Sequence, residues 1–509
     1  MAGIRAVAST PTLQAFRKAS PGGAHTGTPS IHPWRLHGRI PAAETPYGRH
    51  PARLSERLVR PSRRASGVLL LASILSHPAV LGAEEIIIFG EPDEPAVTDP
   101  EPDRPPPWRD PDRWEVRLER GRIESGALTG DERQADTSHH ATLIGSATWR
   151  ADRWEIRIGA RADGHRQLGE RPVSDSAADY DETWLRARGD AWRLTAGAQR
   201  VSWGRVDEIP PTDRLAVEDL TRFMLDERAD RRRAVPALRL ELFHRRWTAD
   251  LLWVPAFRAA ELPAEESIWA PVDRERGRLL GLPPDPELAP VIRDAHFREE
   301  TSGGGGGGAR ISRHGRTFDF ALTAQRARHS VPYYRLNEAQ DTFTAVHPWT
   351  TVAGADIGFA TGAVTWRAEA AWLSDVPATR EEDFGFTTVE GVDWVAGAEG
   401  FPGDADLRVT VQLAGQHLLD AGEVLEPERA YYINGEIENE YARAQWRARL
   451  RFSLGLDRRD AYLNPEIAYR RWEPHEFYLG AHWFDGRDDT AGGFYRDNRM
   501  AVLGWRGSL

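Results

Sequence analysis

The chain has 509 residues, no cysteine, 19 tryptophans, 77 acidic against 66 basic side chains and a mean hydropathy of -0.54. The missing cysteines exclude a disulfide framework and a thiolate metal site, and the acidic balance opposes binding to nucleic acid, whose phosphates would be repelled. No apolar run reaches the roughly 20 residues of a membrane-spanning helix, which leaves strands as the means of crossing a bilayer.

Residues 1–57 carry scattered Gly, Pro, His and Arg without periodicity. They read as a disordered extension or as a start placed too far upstream, with translation beginning near Leu58 or Val59. Arg60, Arg63 and Arg64 then precede the apolar run Gly67 to Leu75 and the small residues up to Ala83. A basic stretch, a short apolar stretch and small residues before a cut make a secretory signal peptide of 58–83, cleaved after Gly82 or Ala83. Residues 84–112 are acidic and Pro-rich, an extended periplasmic tether. The start of this tether, Glu85, Ile86, Ile87, Ile88 and Phe89, resembles the box through which TonB-dependent receptors pair a short strand with a periplasmic partner. An incidental apolar patch is the plainer reading, because no plug domain follows.

From 113 to 509 the sequence alternates apolar and ionic residues. Trp114, Val116 and Leu118 alternate with Glu115, Arg117 and Glu119; Trp154, Ile156 and Ile158 with Glu155 and Arg157; Trp446, Ala448, Leu450 and Phe452 with Arg447, Arg449 and Arg451. A strand sends successive side chains to opposite faces, so each segment has one greasy and one charged side. Recurring over nearly the whole remainder, with Trp and Tyr near strand ends, the pattern predicts an all-β, transmembrane antiparallel β-barrel with lipid outside and a wet, charged lumen. Very short links such as Ala151-Asp152, Gly189-Asp190, Arg245-Arg246 and Gly362-Ala363 alternate with long ones, the tight inner turns and long extracellular loops of such barrels. The count is about 18 strands, with 16 as the alternative. Two connections exceed a turn: 205–232, where Asp213–Leu225 suggests a short helix, and 258–308, with a helix around Glu287–Ala295 and the glycine run Gly303–Gly308, read as a flexible hinge.

Gly197-Ala198-Gln199-Arg200-Val201-Ser202-Trp203-Gly204, then Val235-Pro236-Ala237-Leu238-Arg239, Leu251 to Phe257, and Asn464-Pro465-Glu466 onward resemble an uncharacterised family of large Gram-negative outer-membrane barrels, the predicted porins, over residues 113–509. The resemblance implies association with inner-membrane lipid exporters of the resistance-nodulation-division (RND) type. Such barrels end on an aromatic residue read by the barrel-assembly machinery; this chain ends Trp505-Arg506-Gly507-Ser508-Leu509, which leaves Trp505 to serve.

On the ionic faces stand Arg157, Arg161, Arg193, Arg239, Arg367, Arg408, Arg447, Arg449 and Arg451, with Glu155, Glu241 and Glu369. They either set a transverse field that selects solutes or form cross-strand ion pairs that hold the wall. Trp203 and Gly204, at the root of a loop containing Asp207 and Asp213, mark a gate or plug, or only a sharp strand exit. The 258–308 loop folds inward as a constriction or stands outside. No Gly-x-Ser-x-Gly elbow or zinc-ligand spacing occurs, so no enzyme activity, metal or cofactor is expected. The expected function is passage of a solute across the bacterial outer membrane through a charged aqueous lumen. The alternatives are export of lipid or hydrophobic molecules with an RND-type pump, and a structural or receptor barrel with a plugged lumen. Expected partners are outer-membrane lipid, the assembly machinery and an inner-membrane transporter or TonB-like protein.

Overall fold

The computed structural model describes residues 114–508, apart from 207, 281–285, 287, 338–341, 381–385, 404–405, 423 and 425. The proposed signal peptide, the tether and Glu85–Phe89 therefore lie outside the described residues.

The wall begins with β1 (Trp114–Leu128), β2 (Thr137–Ala151) and β3 (Trp154–Leu168). One stave is then made of two pieces, β4 (Val173–Tyr180) and β5 (Thr183–Arg188), both paired with β3. Next come β6 (Trp192–Gln199), β7 (Val235–His244), β8 (Trp247–Val254), β9 (Gly306–Arg313), β10 (Phe318–Arg328) and β11 (Trp349–Thr361). The circuit continues with β12 (Val364–Thr379), β13 (Phe386–Gly400), β14 (Leu407–Leu419), β15 (Arg429–Tyr441), β16 (Trp446–Gly455), β17 (Asp460–Trp472), β18 (His475–Gly486) and β19 (Met500–Gly507). Each pairs antiparallel with its neighbour, and β19 closes the circle on β1, from Gly121 opposite Gly507 to Leu128 opposite Met500. With β4 and β5 counted as one stave, the barrel has the even count of 18. Closure leaves no sheet edge running the length of the wall, a requirement wherever lipid offers backbone groups no partner.

The alternation places the two faces as expected. Trp114, Trp154, Trp192, Trp247, Trp366, Trp446 and Trp472 are exposed beside the tight turns, and Trp253, Trp349 and Trp483 stand exposed towards the long-loop end. Between them lie exposed aliphatic side chains such as Ile158, Leu251, Leu322, Ile467 and Leu503. Such an aromatic-bordered apolar band is what a barrel shows to hydrocarbon. Strand β1 carries one departure: a bulge between Leu118 and Arg120 moves the outward register from even to odd positions, so that Ile123 points out and Glu124 in. An extra residue in one strand has this effect on a period of two.

The glycine run corrects the hinge reading, because Gly306–Gly308 are wall residues paired with both β8 and β10. A Cβ on Gly308 would lie 2.9 Å from the Trp203 ring and 2.7 Å from the Ala324 carbonyl oxygen. The glycines therefore thin the wall where Trp203 packs against it. Gly308→Val is expected to lower the temperature at which the barrel loses its folded electrophoretic mobility by several degrees, the ~1–3 kcal/mol of an overpacked site; an unchanged transition would show that the indole has room to spare.

Candidate functional site: a loop tied across the lumen

The 200–234 connection leaves β6 and returns at β7, although Gln199 already lies opposite Val235 and a tight turn would join them. It folds into the barrel instead. No helix forms over 213–225; Val217–Glu218 pairs with Arg232–Arg233, and one helical turn, Arg228–Arg231, follows Glu227. The helix expectation rested on Leu215, Leu220, Phe223 and Met224 sharing a side. The loop's ionic side chains decide otherwise, because they reach opposite walls.

At the root, Trp203 is 2% exposed and its Nε1–H donates to Asp250 Oδ2 on β8 at 2.8 Å. Gly204 follows with φ +131, and a Cβ there would sit 2.7 Å from Pro210 and 3.1 Å from the Glu369 carboxylate. Only glycine combines that dihedral with so close an approach. Glu369, on β12, accepts hydrogen bonds from the backbone N–H groups of Arg205 and Val206, the latter at 2.7 Å, and from the Thr212 hydroxyl at 3.0 Å. Arg205 pairs with Asp356 on β11, Gln325 on β10 donates to the Thr212 carbonyl, and Arg214 donates to Asp393 on β13 at 2.5 Å.

The far half of the loop grips the other side. Arg222 pairs with Glu124 on β1 and, at 2.5 Å, with Asp226, which also receives Arg122 at 2.6 Å. Arg161 on β3 reaches Asp219 at 2.9 Å, and Arg233 joins Asp163 and Asp219 at 3.4 and 2.8 Å. Arg120 pairs with Asp230. On β16, Arg449 pairs with Glu227, and Arg451 meets Glu208 at 3.5 Å. Inside the loop, Asp213 is held by Arg228 at 3.1 Å and Arg232 at 3.4 Å.

Burial would raise Glu218 and Glu227, but the guanidiniums outweigh it: Arg231 and Arg228 hold Glu218 at about 2, and Arg449 and Arg451 hold Glu227 at about 2, whereas burial prevails at Asp230 and pushes its carboxyl up. A carboxylate depressed from its ordinary ~4.3 contributes to docking fully above that value and loses the contribution as pH falls through about 2. Bilayer currents are thus expected to stay constant from pH 7 to 5 and to change only on acidification towards the value that protonates this pair. A step between pH 7 and 5 would mean that a carboxylate pushed up by burial, such as Asp230 opposite Arg120, also governs the loop.

The other wall arginines pair with carboxylates as well. Arg157 pairs with Glu119, Arg193 with Glu241 at 2.5 Å and Arg239 with Asp250 at 2.6 Å. Arg367 meets Glu399 at 2.7 Å, Arg408 meets Glu436 at 2.5 Å and Arg447 meets Glu476 at 2.7 Å. Glu155 takes Arg150 at 2.9 Å and Arg186 at 3.3 Å. The structure thus joins Trp203, Gly204, Asp213, Glu369, Arg161, Arg449 and Arg451 to the crossing loop. Arg193, Arg239, Arg367, Arg408 and Arg447, with Glu155 and Glu241, remain in wall ion pairs, and Asp207 lies outside the described residues. Sequence reading missed Asp250, Asp356, Asp393 and Glu124 on the wall and Arg222, Glu227, Arg228 and Arg231 in the loop. The signal available was the density of both charges in 213–233, more than a solvated loop needs.

The 258–308 loop packs at the long-loop end. Ile268, Trp269, Leu279, Leu280 and Ile292 join Phe223 and Leu225 of the crossing loop and Phe484, Phe494 and Tyr495 in one buried apolar cluster. The Tyr495 hydroxyl donates to the Trp269 carbonyl at 3.1 Å, and Asn498 to that of Ile268 at 2.6 Å. Its helix, Leu288–Asp294, falls where expected. His296–Glu299 pairs in parallel with Thr342–Val346, which pairs with Tyr333–Leu336. Two cavities flank the crossing loop. A crevice of about 120 Å³ opens against the starts of β11 and the ends of β10 and β12. A chamber of about 450 Å³ lies towards the tight turns, lined by Glu227, Arg447, Arg449, Glu466, Glu476 and Arg506 among others.

The closed wall, apolar exterior and ionic interior define a transmembrane β-barrel. Solved barrels similar in architecture include OccAB1 of Acinetobacter baumannii, at 8% identity and TM-score 0.45 over 78% of this chain and 96% of that one. OpdR of Pseudomonas aeruginosa matches at 7% and 0.45 over 78% and 96%. OmpF of Salmonella typhi, solved with daunomycin, matches at 9% and 0.40 over 78% and 97%. No family model and no curated protein matches the sequence.

Proposed function

We propose that this chain is an outer-membrane channel that passes a small polar solute through its charged lumen. The observation carrying the reading is the 200–234 loop, ion-paired to opposite walls between a crevice and a chamber, which takes up part of a lumen that would otherwise be wide. A fixed array of paired charges at a constriction filters by size and by charge placement. Outer-membrane placement fits the apolar band with its aromatic borders. The same loop favours a second reading, a receptor barrel whose lumen stays plugged. Purified protein in liposomes separates the two: steady ohmic current supports the channel, and silence at all voltages supports the plug. The RND-pump and TonB-like partnerships implied by resemblance are tested by co-purification with the membrane fraction of the native cell.

A further inference from the structure

In a barrel dense with ion pairs, two adjacent tight turns gather arginines that have none. The β7–β8 turn carries Arg245 and Arg246, and the β9–β10 turn carries Arg316, with Arg313 closing β9 beside it. Among the described residues none of these four makes an ion pair, and the stretches 242–249 and 309–318 contain no Asp or Glu. Asp319, the next carboxylate along the chain, stands 3.7 Å from both Arg205 and His314. Elsewhere at this end of the barrel, Arg150 and Arg188 meet Glu155, and Arg470 meets Glu440. The two turns are bonded together, the His314 N–H donating to the Arg246 carbonyl at 2.9 Å.

Arg313 belongs to the outward register. It lies opposite Trp247 on one side and Phe320 on the other. Its guanidinium is 6.0 Å from the Trp247 ring centre, and that ring meets Phe320 edge-on at 5.8 Å. The next outward rows are Ala249, Ile311 and Leu322, then Leu251, Ala309 and Ala324, then Trp253 and Gly307. Past Ile311 the middle strand thus drops to Ala309 and Gly307, between exposed Leu251 and Trp253 on one flank and exposed Leu322 on the other. At ~3.4 Å per residue, this shallow trough runs about 20 Å from Arg313 to Gly307, more than one leaflet of a ~30 Å hydrocarbon core. A guanidinium at the edge of hydrocarbon is costly unless it reaches a polar partner. An acidic protein in the aqueous compartment would meet the turns and leave the trough empty. A zwitterionic lipid would fill the trough and bring no net charge to the arginines. We propose that this site binds an anionic phospholipid from the leaflet at the tight turns, its phosphate on Arg245, Arg246 and Arg313 and an acyl chain in the trough. The site depends on the barrel crossing a membrane and not on whether its lumen conducts.

Native mass spectrometry of the full chain in detergent, titrated with phosphatidylglycerol or with phosphatidylcholine of the same acyl chains, tests it. One phosphatidylglycerol is expected to stay bound at concentrations where phosphatidylcholine is lost. Arg245→Gln/Arg246→Gln/Arg313→Gln should lower phosphatidylglycerol affinity roughly a hundredfold, ~1 kcal/mol for each arginine near a membrane surface. Arg153→Gln/Arg443→Gln/Arg471→Gln removes the same charge from exposed positions at other tight turns and should leave the affinity as it was. Ala309→Trp, which fills the trough and keeps the arginines, should also release the lipid. Heat-dependent mobility on gels shows which variants fold, and the two triple variants suffice if Ala309→Trp does not. Equal retention of the two lipids, equal losses in the two triple variants, full retention in folded Ala309→Trp, or displacement of the lipid by sn-glycerol 3-phosphate at equal concentration overturns the proposal.

Discussion

Excision of residues 202–232, with the ends joined by a short Gly/Ser turn, is expected to raise single-channel conductance roughly tenfold, because a barrel of this strand number leaves an aqueous channel once nothing crosses it. The wall should survive the cut, since Gln199 and Val235 are already cross-strand partners and the turn that replaces the loop spans one strand spacing. What disappears is the set of ties to Glu369, Asp356, Asp393 and Glu124, and with it the partition between crevice and chamber. Planar-bilayer recording of both forms in the same salt checks this. Equal conductance would place the barrier elsewhere, in the 258–308 loop, and would remove the crossing loop from the account of selectivity.

The second large effect is expected from one side chain. Glu369→Ala deletes the acceptor of two backbone N–H groups and one hydroxyl at the neck of the loop, beside Val206, which is 4% exposed. Leaving buried donors unmet costs about 3 kcal/mol or more in total, enough to free the neck most of the time. The folded variant should then be cut by trypsin at Arg205, where the parent resists, and its current should flicker between two levels. Glu369→Gln keeps one acceptor oxygen and should fall between the two. A variant as protease-resistant and as steady as the parent would show that Trp203 and Arg205 suffice to seat the loop.

The barrel was legible because its code is repetitive. Period-two alternation, tryptophan at strand starts and two-residue links each recur many times, so an error at one strand does not change the class. The bulge in β1 escaped notice because one extra residue leaves composition intact and alters only register. The crossing loop was half legible. Trp203-Gly204 and Glu369 stood out singly, but their meeting spans 165 positions, and no local rule reports which carboxylate a distant backbone N–H will find. The helix expected over 213–225 failed for a related reason: spacing of four apolar residues is a weak signal beside a dozen charges seeking partners on two walls. Gly303–Gly308 misled because glycine in a loop and glycine thinning a wall look identical in sequence; only the indole of Trp203 tells them apart.

The parallel pairing of His296–Glu299 with Thr342–Val346 joins segments from two different long loops through main-chain bonds. Main-chain ladders break cooperatively, so the two segments have one hinge problem to solve and not two. Neither loop is able to swing aside without dragging or unzipping the other. In the proposed channel these two loops would therefore act as one door, opening together or only once the ladder between them is lost.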